Sequence, residues 1–320
     1  MGTIPLSEIQ SILVCPRCRA RLATNGGDAY HCTDPSCAYN DRLRFPIVGG
    51  WPVLVDFEHS ILTEDHVVRT RGASVLARTK ASALNRAIKG VLSPHNVIAE
   101  RNVAHLRRLL ADRSDGPTVL VIGGGTVGSG IEALYDDHSI RLVGFDLYGS
   151  PMTQFIADGH QIPLEDESVD AVVVQAVLEH ALDPRRIVVE SHRVTKPGGL
   201  VYAETPFLQH VHEGPYDFTR FTESGHRYLF RNFERIDSGV VGGPCTQLQW
   251  SIEHASRSLF RSGQVGKATK GLFFWLRFMD RWIPRDYAID CAAGVYFLGR
   301  KSDQEVAPSE MVDYYGGAQR

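Results

Sequence analysis

The 320-residue sequence has little net charge, few cysteines outside one cluster, and no apolar run of bilayer length. A net charge of -3 gives no bulk attraction for a polyanion, so nucleic acid is not an expected partner. The greasiest late stretch, Gly271 to Met279, is short and interrupted by Arg277, which excludes a membrane-spanning helix there. Met1 to Gln10 lacks the basic start and long apolar core of a secretory signal, and the expectation that follows is a cytoplasmic location. In a reducing compartment the six cysteines point to metal binding rather than to disulfides. What is present is 43% hydrophobic residues over a length that permits two domains, the composition of a folded globular protein.

The stretch Thr118 to Gly130 reads T-V-L-V-I-G-G-G-T-V-G-S-G. Val119 to Ile122 form an apolar run of the length of a buried parallel strand, and they lead directly into Gly123, Gly124 and Gly125. Ile131, Ala133 and Leu134 then begin a helical pattern, so strand, tight turn and helix succeed one another as in nucleotide-binding βαβ units. Gly123, Gly125 and Gly128 fit G-x-G-x-x-G, where glycine permits positive φ and close approach of a cofactor; a turn that binds nothing is the plain alternative. A second strand, Ile140 to Phe145, ends at Asp146, 18 residues beyond Gly128, where a carboxylate can accept hydrogen bonds from two ribose hydroxyls. Asp158-Gly159 follows Phe155-Ile156-Ala157 and could read an adenine edge. Val169 to Gln175 reads as a further buried strand, and Lys196-Pro197-Gly198-Gly199 leads into another at Leu200 to Ala203.

As a set, the glycine turn, Asp146, A-D-G-H, D-E-S-V-D-A-V-V-V-Q-A-V-L-E-H and R-V-T-K-P-G-G-L-V-Y resemble class I S-adenosylmethionine-dependent methyltransferases. The likeness covers residues 117 to 241, with a closing strand at 292 to 299. It implies a Rossmann-like α/β fold with a mostly parallel seven-stranded sheet and S-adenosyl-L-methionine as cofactor. The residues it assigns to that cofactor are Gly123, Gly124, Gly125, Gly128, Asp146, Leu147, Asp158, Gly159 and Gln175, with Asp146 on the ribose and Asp158 at the adenine. Two features depart from the family pattern. Val121 stands where an acidic residue is common, and only 11 residues separate Asp146 from Asp158, too few for a helix plus a strand, so that crossover is expected as a loop.

Four cysteines give a second signal: Cys15-Pro-Arg-Cys18 and Cys32-Thr-Asp-Pro-Ser-Cys37, two short-spaced pairs 13 residues apart. Two turns can then present four thiolates to one tetrahedral Zn²⁺, and with every position taken by sulfur the zinc is structural. The flanks, Ile12-Leu13-Val14 and Phe45 through Val55, resemble the small zinc-ribbon family that activates tRNA methyltransferases, which implies a docking or stabilising module and a protein partner as one reading. Residues 58–116 read as a helical connector with nine Lys or Arg against two acids between Asp65 and Arg108, either a solvated helix face or a phosphate-binding one.

Glu179 and His180 sit beyond the Val169–Gln175 strand, at the carboxyl end of the sheet, and His180 is open to two roles, general base or packing beside the cofactor. The loop from Glu204 to His226 is richer in chemistry. His210 or His212 could take the proton of an acceptor hydroxyl, with Glu213, Tyr216, Asp217 and Arg220 holding the acceptor. The same loop could be a lid stitched by Asp217 and Arg220, or could collect Mg²⁺ or a transition metal at His210, His212, Glu213 and Asp217. From Arg257 to Arg285 there are seven basic residues and one acid, Asp280, among Leu259, Phe260, Phe274, Trp275, Phe278 and Trp282. That stretch reads either as aromatic core or as an amphipathic surface for a membrane or lipid-linked substrate.

The expected organisation is a zinc ribbon at 1–57, a connector at 58–116, and a methyltransferase domain at 117–301 with a substrate loop at 205–226 and a helical lid at 245–290. Residues 302–320 are expected to form a flexible tail. The expected activity is methyl transfer to an oxygen of a small-molecule or glycan-type acceptor. A non-catalytic adenosyl-binding module whose ribbon docks a partner, and an RNA-modifying enzyme, are the alternatives.

Overall fold

A computed structural model describes residues 2–24, 27, 29–40, 43–74, 95–112 and 116–320. The amino-terminal strands β1 (Leu22–Thr24), β2 (Ala29–Cys32), β3 (Phe45–Val48) and β4 (Trp51–Leu54) are short. They are followed by β5 (Thr118–Ile122), β6 (Arg141–Asp146), β7 (Phe155–Ala157), β8 (Val169–Gln175) and β9 (Thr195–Pro206), and the sheet is completed by β10 (Phe233–Val241) and β11 (Gly294–Lys301). β5 and β8 are apolar along almost their whole length because both faces of the sheet are covered. Leu120 and Ile122 point to a core shared with Ile187, Val188 and Val194 of the helix Pro184–Val194. Val119 and Val121 point to a second core with Ala99, Val103, Leu106 and Leu110 of the helix Val97–Ala111.

The sheet has eleven strands in the order β1-β2-β3-β4-β7-β6-β5-β8-β9-β11-β10, which corrects the expectation of a mostly parallel sheet of seven. Its centre, β4-β7-β6-β5-β8-β9, is parallel, while β9-β11-β10 and β1 through β4 pair antiparallel. The added strands come from the cysteine-rich segment. Val53 pairs with Ile156 and Leu54 with Ala157, so the segment extends the sheet at its β7 edge. Ile9, Leu13, Tyr30 and Phe45 enter the same core as Leu120 and Phe145. β9 also begins earlier than its apolar pattern, at Thr195, and takes in Lys196 through Gly199.

The connector holds the helices Glu64–Arg69 and Val97–Ala111; Arg78, Lys80, Arg86, Lys89, Gly90 and Pro94 of the sequence reading lie outside the described residues. Two of its described cations are bound within the chain, Arg101 to Asp237 and Arg107 to Asp137. Between β10 and β11 lie the helices Pro244–Phe260 and Gly263–Leu272, a 3₁₀ stretch Phe274–Trp282 and the helix Arg285–Cys291. The segment expected as a flexible tail, residues 302–320, is not all coil. It forms the helix Glu310–Tyr314, whose Tyr314 hydroxyl bonds Glu223 and, at 2.8 Å, Ser238 Oγ, while Arg231 pairs with Glu305.

His226 is fully enclosed between Phe221 and Phe230, and burial pushes its pKa down to about 3. Because the native imidazole stays neutral while the unfolded chain takes a proton below about 6.5, stability present at neutral pH falls as the pH drops from 6.5 toward 3. At pH 5 this one group should cost about 2 kcal/mol. His226→Leu should flatten that part of the pH dependence, read as the difference between urea midpoints at pH 7 and pH 5; an unchanged difference would show that His226 protonates freely in the native state.

Candidate active site

The glycine turn is built by exclusion of side chains. Gly123 has φ +73°, and a Cβ there would lie 2.3 Å from Val177 Cγ2; a Cβ on Gly125 would lie 2.3 Å from the Tyr148 ring. Gly124 N–H donates to the Phe145 carbonyl at 2.9 Å. Asp146 then fixes the turn from the next strand: Oδ2 accepts from Gly125 N at 2.9 Å and Oδ1 from Leu147 N at 2.7 Å. Gly123, Gly128, Asp146, Leu147, Asp158, Gly159 and Gln175 line one cleft of about 720 Å³; Gly124 and Gly125 are not among its lining residues.

Opposite Gly128 the cleft floor carries a polar network in place of an acid at Val121. Glu204, at the end of β9, accepts from Asn96 Nδ2 at 2.9 Å and Gln175 Nε2 at 2.7 Å, and Tyr202 donates to its other oxygen at 2.5 Å. Burial raises the Glu204 pKa. Gln175 Nε2 also reaches the Ser129 carbonyl at 3.1 Å, and its Oε1 is buried without a donor.

Asp158 is 4% exposed. It accepts from Ser60 Oγ at 2.5 Å and from His160 N and Nδ1 at 3.0 and 2.5 Å. Against the burial that would raise it, these bonds hold its pKa below the usual carboxylate value. The link between β6 and β7 is a loop, as its length implies, and Trp51 Nε1 donates to the Ser150 and Thr153 carbonyls within it, both at 3.1 Å.

The far end of the cleft is made by Glu179, His180, His212, Glu213 and Tyr216. Glu179 is 1% exposed, neither of its carboxylate oxygens has a hydrogen-bond partner, and burial pushes its pKa up to about 8. Its backbone carbonyl accepts from Phe218 N and Thr219 N, which ties the 205–226 loop to this end of the sheet. Burial lowers the pKa of His180. Asp217 pairs with Arg220, whose hydrogen bonds hold the carboxyl down to about 2, and Arg220 also donates to the Gln209 and His210 carbonyls. That pair stitches the loop behind the cleft. His210 stacks on His254 at 4.2 Å and does not line the cleft.

Among the cleft residues not singled out from sequence are Asn96 and His66 from the connector, Tyr148 from the crossover loop and Trp250 from the helix Pro244–Phe260. Glu204 was read only as the start of the loop. Asn96, His66 and Trp250 reach the cleft from elements remote in sequence, and Tyr148 stands two residues after Asp146 in a loop that carries no pattern of its own.

Cys15, Cys18, Cys32 and Cys37 converge, with Sγ–Sγ distances of 3.8 Å for Cys15–Cys37 and 3.3 Å for Cys18–Cys32. Zinc with four thiolates at about 2.3 Å places sulfurs about 3.8 Å apart, so the cluster is compatible with zinc. Asp34 N–H also donates to Cys32 Sγ at 3.4 Å, the kind of backbone contact that supports a thiolate.

Residues 120–203 match the family described as "Methyltransferase domain", so the chain contains a methyltransferase domain in that segment. A demethylmenaquinone methyltransferase from Renibacterium salmoninarum is 32% identical over 162 residues, 47% of this chain and 65% of that protein. One from Paenarthrobacter aurescens is 31% identical over 122 residues, 34% of this chain and 48% of that protein. The chain thus spans 65% and 48% of the lengths of these curated relatives. Among solved structures, Haemonchus contortus phosphoethanolamine N-methyltransferase 2 in complex with S-adenosyl-L-methionine is similar with a TM-score of 0.44 at 16% identity, covering 71% of this chain and 59% of that chain. A complex containing the Haloferax volcanii Trm112 methyltransferase activator gives 0.40 at 22% identity, covering 67% and 97%.

Loading the protein with Co²⁺ should give the intense sulfur-to-cobalt charge-transfer absorption of a thiolate site, and Cys32→Ser should lose most of it. Equal spectra for the two proteins would remove the four-cysteine site.

Proposed function

We propose that the chain is an S-adenosyl-L-methionine-dependent methyltransferase that methylates an oxygen of a small-molecule or glycan-type acceptor. The observation that carries this reading is the joining, in one cleft, of the glycine turn with Asp146 and the group Glu179, His180 and His212. Asp146 takes the ribose hydroxyls. Glu204 and the undonated Oε1 of Gln175 take the methionine ammonium, the role left open by Val121. The acceptor hydroxyl meets the sulfonium methyl at the far end, lined by Glu179, His180 and His212, and gives up its proton as the oxygen attacks. A small-molecule acceptor is supported by the relatives named for demethylmenaquinone.

In this reading the cysteine-rich segment is a structural zinc ribbon that braces the cofactor end. Its β4 strand lies beside β7, Trp51 holds the crossover loop, and Ser60 just beyond it holds Asp158.

The stretch between Arg257 and Arg285 favours a lipid-linked acceptor or a membrane surface. Leu272 is 70% and Trp282 65% exposed, with Leu259, Phe260, Phe274, Trp275 and Phe278 exposed beside them, so the core reading of these aromatics does not hold. The one acid of the stretch, Asp280, accepts from the backbone N–H groups of Gly243, Cys245 and Thr246 at 3.1, 2.7 and 3.1 Å, at the start of the helix Pro244–Phe260. Apolar rings set among seven cations suit an anionic bilayer surface. No helix among the described residues is long and apolar enough to cross a membrane.

Titration calorimetry with S-adenosylhomocysteine, with NAD as control, should give micromolar binding of the first alone. Asp146→Ala and Glu204→Gln should each weaken it at least about tenfold, the worth of one charge-assisted hydrogen bond. Binding of neither ligand overturns the reading, and binding without turnover on any acceptor favours a non-catalytic module.

Co-sedimentation should recover the protein with phosphatidylserine vesicles and not with neutral ones, with less binding at high salt and in Trp282→Ser. No vesicle binding at low salt would exclude the membrane surface.

A further inference from the structure

The three groups at the far end of the cleft are arranged as ligands rather than as independent bases. His180 Nδ1 lies 2.7 Å from the Tyr216 carbonyl oxygen, which can only accept, so Nδ1 carries the proton and Nε2 presents its lone pair. His212 Nδ1 lies 3.3 Å from Asp217 Oδ2 and 3.4 Å from the His210 carbonyl oxygen, again acceptors only, and Asp217 is itself held by Arg220. Both free Nε2 atoms point at the same place: each is 3.7 Å from Glu179 Oε1. The ligand atoms of the three residues lie within 4.8 Å of one another. Ligands about 2.1 Å from a shared cation stand about 3 to 3.4 Å apart, so a small contraction closes the set.

The surroundings point to a missing cation. A carboxylate that is 1% exposed and has no donor on either oxygen lacks the partner that buried polar groups keep, and it faces Nε2 of both histidines. The outer contacts, an imidazole backed by a carbonyl and another by a carboxylate that is in turn held by Arg220, are those that orient metal-bound histidines. His212 lies at the rim with its side chain 30% exposed, which leaves a path for a cation and open coordination positions toward the cleft.

We propose that Glu179, His180 and His212 bind a divalent first-row transition ion, of the zinc or manganese kind, in the acceptor end of the cleft. Two imidazoles with one carboxylate suit these ions, whereas Mg²⁺ favours an all-oxygen set. The site differs from the His210, His212, Glu213 and Asp217 grouping read from the sequence: His210 is stacked on His254, and Asp217 serves Arg220 and the back of His212. It is separate from the four cysteines. The inference rests on the reading of an oxygen acceptor and deepens it. The acceptor hydroxyl binds the ion through its oxygen and releases its proton to solvent. The oxygen's electron pair forms the new O–C bond, while the C–S bond breaks and its pair stays on sulfur as the neutral thioether. The acceptors such a site selects are those with an acidic or chelating hydroxyl, such as phenols, catechols or enols.

The test is a Mn²⁺ titration of the full chain, with its cysteine site already filled by zinc, followed by the loss of the free-Mn²⁺ paramagnetic resonance signal. Manganese avoids a thiolate site, so the titration reads the nitrogen and oxygen ligands alone. Wild type should bind one Mn²⁺ with micromolar affinity. His212→Ala and Glu179→Gln should lose it by tenfold or more, while His210→Ala should bind as wild type does. Zn²⁺ should displace the bound Mn²⁺. Absence of bound Mn²⁺, or equal affinity in all three variants, overturns the site. Since Glu179 is buried and its variant could fail to fold, the rim variant His212→Ala carries the result, with S-adenosylhomocysteine binding as the check of an intact cleft. Metal binding without adenosyl binding would overturn the methyltransferase reading and leave the metal site standing; adenosyl binding without metal would do the reverse.

Discussion

Only eight residues, Leu147 to Gln154, join β6 to β7, and much of the molecule follows from that shortness. Parallel neighbours are ordinarily joined by a crossover of a dozen or more residues, usually a helix that covers one face of the sheet. Without that helix, Phe145 and Phe155 would present their rings to water. The amino-terminal segment fills the gap: Ile9, Leu13, Tyr30, Tyr39 and Phe45 join those rings in one core, β4 lengthens the sheet beside β7, and Trp51 caps two carbonyls of the short loop. The cysteine cluster thus stabilises more than its own turns. Whatever fixes the four sulfurs also fixes the strand that lies beside β7, next to the Asp158 end of the cleft.

How much of this was legible in the sequence depends on the range over which each feature is encoded. The glycine turn, Asp146 and the four cysteines are local patterns, and the structure brings each set together. The short crossover was legible too, because a count of residues is enough to exclude a helix. The eleven-stranded sheet was not, since the partner of β4 lies about a hundred residues downstream and β4 is only four residues long. Asn96, Glu204 and Trp250 reach the cleft from three remote elements, and no spacing announces them. The aromatic stretch after Leu272 shows a different limit. Periodicity tells which side of a helix is apolar, but it cannot tell whether that side meets a core or water, and here most of the rings meet water. The carboxyl-terminal residues read as tail because they are polar, yet Tyr314 reaches Glu223 and Ser238 through its hydroxyl.

Three buried carboxylates face the cleft, and their hydrogen-bond states differ in a way that locates its chemistry. Asp158 has three donors from protein and is held ionised, which suits a fixed wall. Glu204 has donors from Asn96, Gln175 and Tyr202, and the nearby Gln175 oxygen still lacks one, which suits recognition of a cationic ammonium by a prepared acceptor pair. Glu179 has none. A buried carboxylate without a partner is costly, because the low dielectric that strengthens a made hydrogen bond also magnifies an unmade one. Such a cost is retained at the place where a ligand must enter and supply the missing charge. With Nδ1 of each imidazole facing an acceptor, the tautomer that fits sets both Nε2 lone pairs toward the same oxygen, and this is the arrangement the proposed cation answers. A hydrogen-bond donor from substrate could satisfy the carboxylate but would leave two nitrogen lone pairs facing it, whereas a cation satisfies all three at once.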